Sequence, residues 1–170
     1  IPNTYIVTYT DGVDNVELFA DQVNANITGG AATPAFNGTP AREGYNFAGW
    51  TPSVAGTVTA NATYTATWTI NQYTITFNTN GGSAIDPITQ NYGTAVVAPS
   101  NPTKTGYTFA GWDKTIPSTM PAENMTITAT WTINQYTITF NTNGGCAIDP
   151  ITQNYGTAIV APANPTKSGY

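Results

Sequence analysis

Between Tyr73 and Asn78 the chain alternates without a break. Tyr73, Ile75 and Phe77 fall on one side, and Thr74, Thr76 and Asn78 on the other. A period of two is that of a strand with one buried face. The alternation returns further on, with Met125, Ile127, Ala129 and Trp131 against Thr126, Thr128 and Thr130. Between these two segments, Ile88 to Tyr92 reads as a second strand, with Pro87 just ahead of it, where a missing N–H does least harm. Tyr107 to Trp112 reads as a third. Gly93 to Thr105, with Pro99 and Pro102, reads as loop, as does the stretch holding Pro117 and Pro121. No helix longer than a turn or two is predicted. The expected fold class is mainly β, in units of about four strands.

The unit repeats. Asn71 to Tyr107 returns at Asn134 to Tyr170, displaced by 63 residues, and only four of the 37 positions differ. These are Ser83/Cys146, Val96/Ile159, Ser100/Ala163 and Thr105/Ser168, all small changes in volume of the kind a packed structure tolerates best. A more divergent copy comes first: Tyr5–Tyr9 matches Tyr73–Phe77, Gly44–Trp50 matches Gly106–Trp112, and Ala62–Trp68 matches Met125–Trp131. From its first strand to its Gly-Tyr pair this copy spans 39 positions against 33 in the second. After the first strand, Asp11-Gly12 and Asn80-Gly81-Gly82 both read as Asx-Gly hairpin turns, which supply positive φ cheaply. The expected domains are 1–69, a divergent first repeat; 70–132, a second repeat; and 133–170, the first half of a third.

Thr69-Ile70-Asn71-Gln72 and Thr132-Ile133-Asn134-Gln135 link successive copies, with no Gly or Pro. Such links do not swing freely as a Gly/Ser tether does. A rod of units, each with its own core and its own tryptophan pair, is the expected arrangement.

The pattern YTITFNTNGG, then NPTKTGYTFAGW, then MTITATW resembles the Listeria–Bacteroides repeat, the B-repeat type of internalins and other large bacterial surface proteins. The resemblance covers Tyr73–Trp131 in full, Tyr136–Tyr170 as a half copy, and Tyr5–Trp68 as a longer variant. It implies a small β-grasp-like, ubiquitin-resembling unit used as a stalk or spacer. It brings no catalytic residues.

Composition narrows the function classes. Lys and Arg total four against nine Asp and Glu, and the sequence pI is about 4.1. Arg42, Lys104, Lys114 and Lys167 are scattered, so the basic footprint of a nucleic-acid binder is missing. There is no histidine, the commonest general base and metal ligand. Thirty-three Thr and eighteen Asn, with ten Tyr and four Trp, suit half-buried strands and the turns between them. No apolar run approaches the roughly 20 residues of a membrane helix. The opening Ile1-Pro2-Asn3 does not read as a signal peptide, so for an exported protein the expectation is a signal outside these residues.

Several residues invite chemistry and yield a plainer reading. Asp11, Asp14, Glu17 and Asp21 cluster, but without the spacing of a calcium loop, and read as a solvated turn and strand. Cys146 stands where the sister copy has Ser83 and reads as drift rather than a cross-linking thiol. Trp50, Trp68, Trp112 and Trp131 read as core anchors rather than a sugar-stacking surface. Lys104 and Lys167 lie in loops, where the desolvation that an isopeptide cross-link needs is not expected. Asn26, Asn37, Asn61 and Asn124 begin N-x-Thr triplets, which so Thr- and Asn-rich a chain produces by chance. The expectation is no catalytic, cofactor-binding or metal-ligating residue and no cofactor.

The functional expectation is a non-enzymatic extracellular segment of a bacterial surface protein, a stalk, spacer or fibre-forming part. The alternative is an adhesin module that contacts host protein or glycan, for which the divergent first copy is the place to look. The expected partners are the neighbouring repeats. The half copy leaves Tyr136, Ile138 and Phe140 uncovered at an open sheet edge, so the further expectation is completion there by another copy meeting it head to tail or by chain continuing beyond this segment, the alternative being a truncated half-unit that frays. Neither nucleic acid nor membrane insertion of this segment is expected.

Overall fold

The alternating segments become strands where the pattern puts them. The computed structural model describes residues 2–169, so Ile1 and Tyr170, the last matched position of the repeat, lie outside the described residues. Within them are ten strands: β1 (Thr4–Thr10), β2 (Gln22–Thr28), β3 (Tyr45–Thr51), β4 (Ala62–Ile70), β5 (Gln72–Asn78), β6 (Ile88–Asn91), β7 (Tyr107–Trp112), β8 (Met125–Ile133), β9 (Gln135–Ile138) and β10 (Ile151–Asn154). No helix is present among the described residues. The strands form two four-stranded sheets, ordered β2-β1-β4-β3 and β6-β5-β8-β7, and a two-stranded sheet of β9 and β10.

Each large sheet is built on a central parallel pair. Val7 and Tyr9 of β1 lie beside Ala62 and Tyr64 of β4, and Ile75 and Phe77 of β5 lie beside Met125 and Ile127 of β8. The apolar phases of the two central strands therefore reinforce each other, and Thr faces the other way. At the start of each pair an asparagine extends the ladder. The Ile6 N–H donates to Asn61 Oδ1, and the Thr74 N–H donates to Asn124 Oδ1, each at 2.8 Å.

Around the first pair, Val7, Tyr9, Val58 and Tyr64 are buried, with Phe36 and Trp50 packed against them. The Tyr9 ring meets those of Trp50 at 4.7 Å and Phe36 at 5.7 Å, and its hydroxyl donates to the Pro34 carbonyl at 2.7 Å. Beside the second pair, Ile75, Ile127 and Ala129 are fully buried, and the Trp112 ring meets Phe77 at a tilt at 5.4 Å and Phe109 edge to face at 5.3 Å. A bulge explains that last contact. The register shifts between Phe109 and Gly111, with Gly111 at φ +125°, and the Thr130 hydroxyl donates to the Gly111 carbonyl. Without the extra residue, Phe109 and Trp112 would face opposite sides of the strand; with it they share one. Phe47, Gly49 and Trp50 repeat the device.

Two sequence expectations need correction. The Asn80-Gly81 turn has the positive φ expected, +49° and +83°, but it is not a tight hairpin: residues 79–87 separate β5 from β6. The links between copies are shorter than expected. β4 ends at Ile70 and β5 begins at Gln72, so Asn71 alone joins them, and Asn134 alone joins β8 to β9.

The chain divides into two compact units that cut across the repeat pattern. One holds the first sheet with Thr89–Val96 and Pro117–Asn124. The other holds Ile75–Ile88, Val97–Ile116 and the chain from Met125 onward.

Candidate functional site: the joints between repeats

The most deliberately shaped places in the molecule are where one copy meets the next. At Gly44 φ is +73°, and the ring of Tyr92 lies directly over the position a Cβ would take, leaving no room for one. At Gly106 φ is +76° and the ring of Tyr155 lies in the same place. Both requirements point to glycine independently: the left-handed backbone, and the close approach of an aromatic face. The Tyr92 ring meets that of Tyr45 edge to face at 6.2 Å, and Tyr155 meets Tyr107 at 6.3 Å. Gly-Tyr on one copy is thus a socket, and the Tyr-Gly of the following copy is its plug.

The single linking residue is bound from both sides. The Asn71 N–H donates to the Gly44 carbonyl at 2.9 Å, and the Asn71 carbonyl accepts from the Tyr92 N–H at 2.9 Å. Asn134 does the same between Gly106, at 2.9 Å, and Tyr155, at 2.8 Å. Both backbone polar groups of the link are therefore satisfied by the two copies it joins. The first joint lies inside one compact unit, and the second inside the other. The sequence pattern contained the Gly-Tyr and Tyr-Gly pairs, but their meeting is a long-range contact to which periodicity is blind.

The residues singled out from sequence serve structure. Asp11 is 8% exposed, and its two carboxylate oxygens accept from the Val13 and Leu18 N–H groups at 2.9 and 2.8 Å. It therefore organises the loop before β2, while Asp14, Glu17 and Asp21 are exposed. Among the described residues, no three such side chains are grouped to hold a metal ion. The tryptophans are half-buried and divide their work. Trp50 and Trp112 join the aromatic cores, whereas Trp68 and Trp131 latch the loop after the first strand, donating from Nε1 to the carbonyls of Asp11 at 2.9 Å and Thr79 at 3.0 Å. Lys104 Nζ donates to the Asn80 carbonyl at 2.9 Å and lies 4.4 Å from the Tyr107 ring centroid. Lys167 donates to the Asn143 carbonyl in the same way. Cys146 is exposed, and its Sγ lies 3.0 Å from the Thr166 hydroxyl. That hydrogen bond holds its thiol below the usual cysteine range.

The third copy is open. Tyr136 is 55% and Ile138 36% exposed, while Phe140 remains half-buried, so two of the three residues expected to be uncovered are. With Ile151, Tyr155 and Ile159 they line a groove of about 170 Å³, below the roughly 300–1,000 Å³ of small-molecule pockets.

Tandem β-sheet units joined by a recurring socket and plug define a repeat protein. The chain matches the Listeria-Bacteroides repeat domain over residues 5–71, 73–130 and 136–170, and it belongs to that family. Among similar proteins is one of Evansella cellulosilytica, provisionally named a membrane protein, 32% identical over 99% of this chain and 27% of its own length. Another is internalin H of Listeria monocytogenes, 33% identical over 70% of this chain and 29% of its own length. The chain spans less than a third of these relatives. Among solved structures, domains 3–4 of the Streptococcal High Identity Repeats in Tandem, from a cell surface protein, align with 20% identity and a TM-score of 0.30, covering 77% of this chain and 99% of that one.

Proposed function

We propose that the chain is a non-enzymatic spacer of a bacterial cell-surface protein, in which 1–69, 70–132 and 133–170 are successive repeats held as a stiff extracellular rod. The observation that carries this reading is the duplicated joint: a one-residue link with both backbone groups bonded, and a tyrosine seated on a glycine, appear twice in the same form. A segment whose purpose is length needs its joints alike, and the near-identity of the second and third copies agrees with that. Family membership and the internalin relative support placement at the cell surface. The unit is read as β-grasp-like because a parallel pair of first and last strands lies at the centre of each four-stranded sheet, flanked by β2 and β3 or by β6 and β7. No helix packs on it among the described residues.

Small-angle scattering on the whole chain tests the spacer, with a glycan array and a host-protein pull-down run in parallel. An extended particle without specific ligands is expected. A compact particle, or saturable binding by the first copy, would favour the adhesin alternative.

A further inference from the structure

The joint has two halves, and the first copy carries only one of them. Its trailing end has the socket, Gly44-Tyr45. Its leading end can be aligned with the later copies by hydrogen bonds rather than by sequence. The Gly29 N–H donates to the Asn3 carbonyl at 2.9 Å, as Tyr92 donates to Asn71 and Tyr155 to Asn134. The Gly30 N–H donates to the Val58 carbonyl at 2.8 Å, as Gly93 donates to Met120 at 2.9 Å. The Ala31 N–H donates to Thr28, as Thr94 donates to Asn91 and Thr157 to Asn154. Ala32 bridges Thr57, as Ala95 bridges Thr119. Gly29 therefore occupies the position of the plug tyrosine.

The backbone does not demand glycine there. Gly30, Gly93 and Gly156 all have φ between +73° and +83°, but Gly29 is not among the positive-φ residues, and tyrosine fills its place twice with the same hydrogen bond. Nor does crowding forbid a side chain. A Cβ on Gly29 would come 3.1 Å from Cε2 of Tyr5, the far end of a side chain that can turn away. What the first copy lacks is the aromatic ring that would sit in a preceding socket.

From this we infer that the first copy does not fit a preceding socket: the trailing Gly-Tyr end accepts a repeat that presents a Tyr-Gly plug, and the first copy cannot be that repeat. The array is directional. A segment placed before Asn3 is not gripped by this joint, and a second copy of the chain does not join head to tail through it. The inference rests on the joint geometry and would survive the loss of the spacer reading, since its test concerns one amide rather than shape or ligands.

The test lengthens the chain by one repeat. Residues 71–133 are fused directly ahead of Asn3, so that Ile133-Asn3 mirrors Ile70-Asn71 and Ile133-Asn134. Amide exchange of Asn3 is then compared with that of Asn71 and Asn134. The Asn3 amide is expected to exchange at least about tenfold faster, because opening of an unheld joint needs little free energy. In the same fusion, Gly29→Tyr should slow it into the range of the other two. Asn3 protection equal to that of Asn71 with Gly29 in place would overturn the inference. A second variant needs no fusion: Tyr92→Gly in the parent chain should speed exchange at Asn71 and leave Asn134 unchanged. Unchanged Asn71 protection would equally overturn it.

Discussion

At Gly44 two costs of a side chain coincide, and a neighbouring glycine separates them. Gly93 has the same φ of +73° but open space around its Cβ position, whereas at Gly44 the Tyr92 ring fills that position. Gly93→Ala should lose only the strain of a left-handed alanine, roughly 1 kcal/mol. Gly44→Ala should lose clearly more, because the ring must leave its seat. Urea unfolding of the two variants checks this, and equal losses would mean that the tyrosine is not seated. Tyr9 sets a different expectation, one of pH. Burial raises its phenol pKa, with Tyr64 adding in the same direction. Folding thus favours the protonated phenol, so the contribution is complete below the unfolded tyrosine value, near pH 10, and is lost as pH rises through the higher folded value. Tyr9→Phe should lower the unfolding free energy at neutral pH, read from urea unfolding, by about 1 kcal/mol for the lost Pro34 hydrogen bond. It should also weaken the alkaline decline that the parent shows. A decline of the same steepness in both would assign it elsewhere. At Cys146 the Thr166 hydroxyl lowers the thiol pKa, so Thr166→Val should move the pH profile of alkylation upward.

Among the elements, β5 and β9 form a natural control. Both begin Gln-Tyr-Thr-Ile-Thr-Phe-Asn, yet β5 runs seven residues and β9 four. Ile75 is 0% exposed, but its twin Ile138 is 36%. What differs is the partner: β5 has β8 alongside in parallel, and among the described residues nothing occupies that place beside β9. Local pattern specifies the strand; the parallel neighbour completes it. The Thr74 amide, which donates to Asn124 on the β8 side, should therefore exchange far more slowly than that of its twin Thr137, and similar rates would contradict the pairing. Asn124→Ala should shorten the β5–β8 ladder at its start, costing about 1 kcal/mol. This is also where the sequence was legible and where it was not. Tyr73–Phe77 and Met125–Trp131 were readable because period two survives in each, and Tyr107–Trp112 was readable as a strand from its aromatic residues although its period is broken. The pairing of Phe109 with Trp112 was not, since the bulge at Gly111 breaks the period. β2 differs: Gln22–Thr28 alternates Val23, Ala25 and Ile27 against Gln22, Asn24, Asn26 and Thr28, yet Val23 is exposed, because the register against β1 shifts beside Asn26, where φ is +60°. The roles of Asn61 and Asn124 were masked by a glycosylation-like triplet that resembles chance.

For the whole molecule, the claim is that the joints, and not only the units, are ordered. The links looked four residues long from sequence and are one residue long in the fold, because strand pairing extends to Ile70 and Ile133. The joint itself could not be read beforehand. Gly44 and Tyr92 are distant in sequence, and nothing local marks the one as the seat of the other. Nitrogen-15 relaxation on the whole chain tests this most directly. If the joint holds, the amides of Asn71 and Tyr92 are as ordered as those of β1–β4, and Tyr92→Gly loosens Asn71. An Asn71 amide that is mobile in the parent chain and unchanged by Tyr92→Gly would contradict the account.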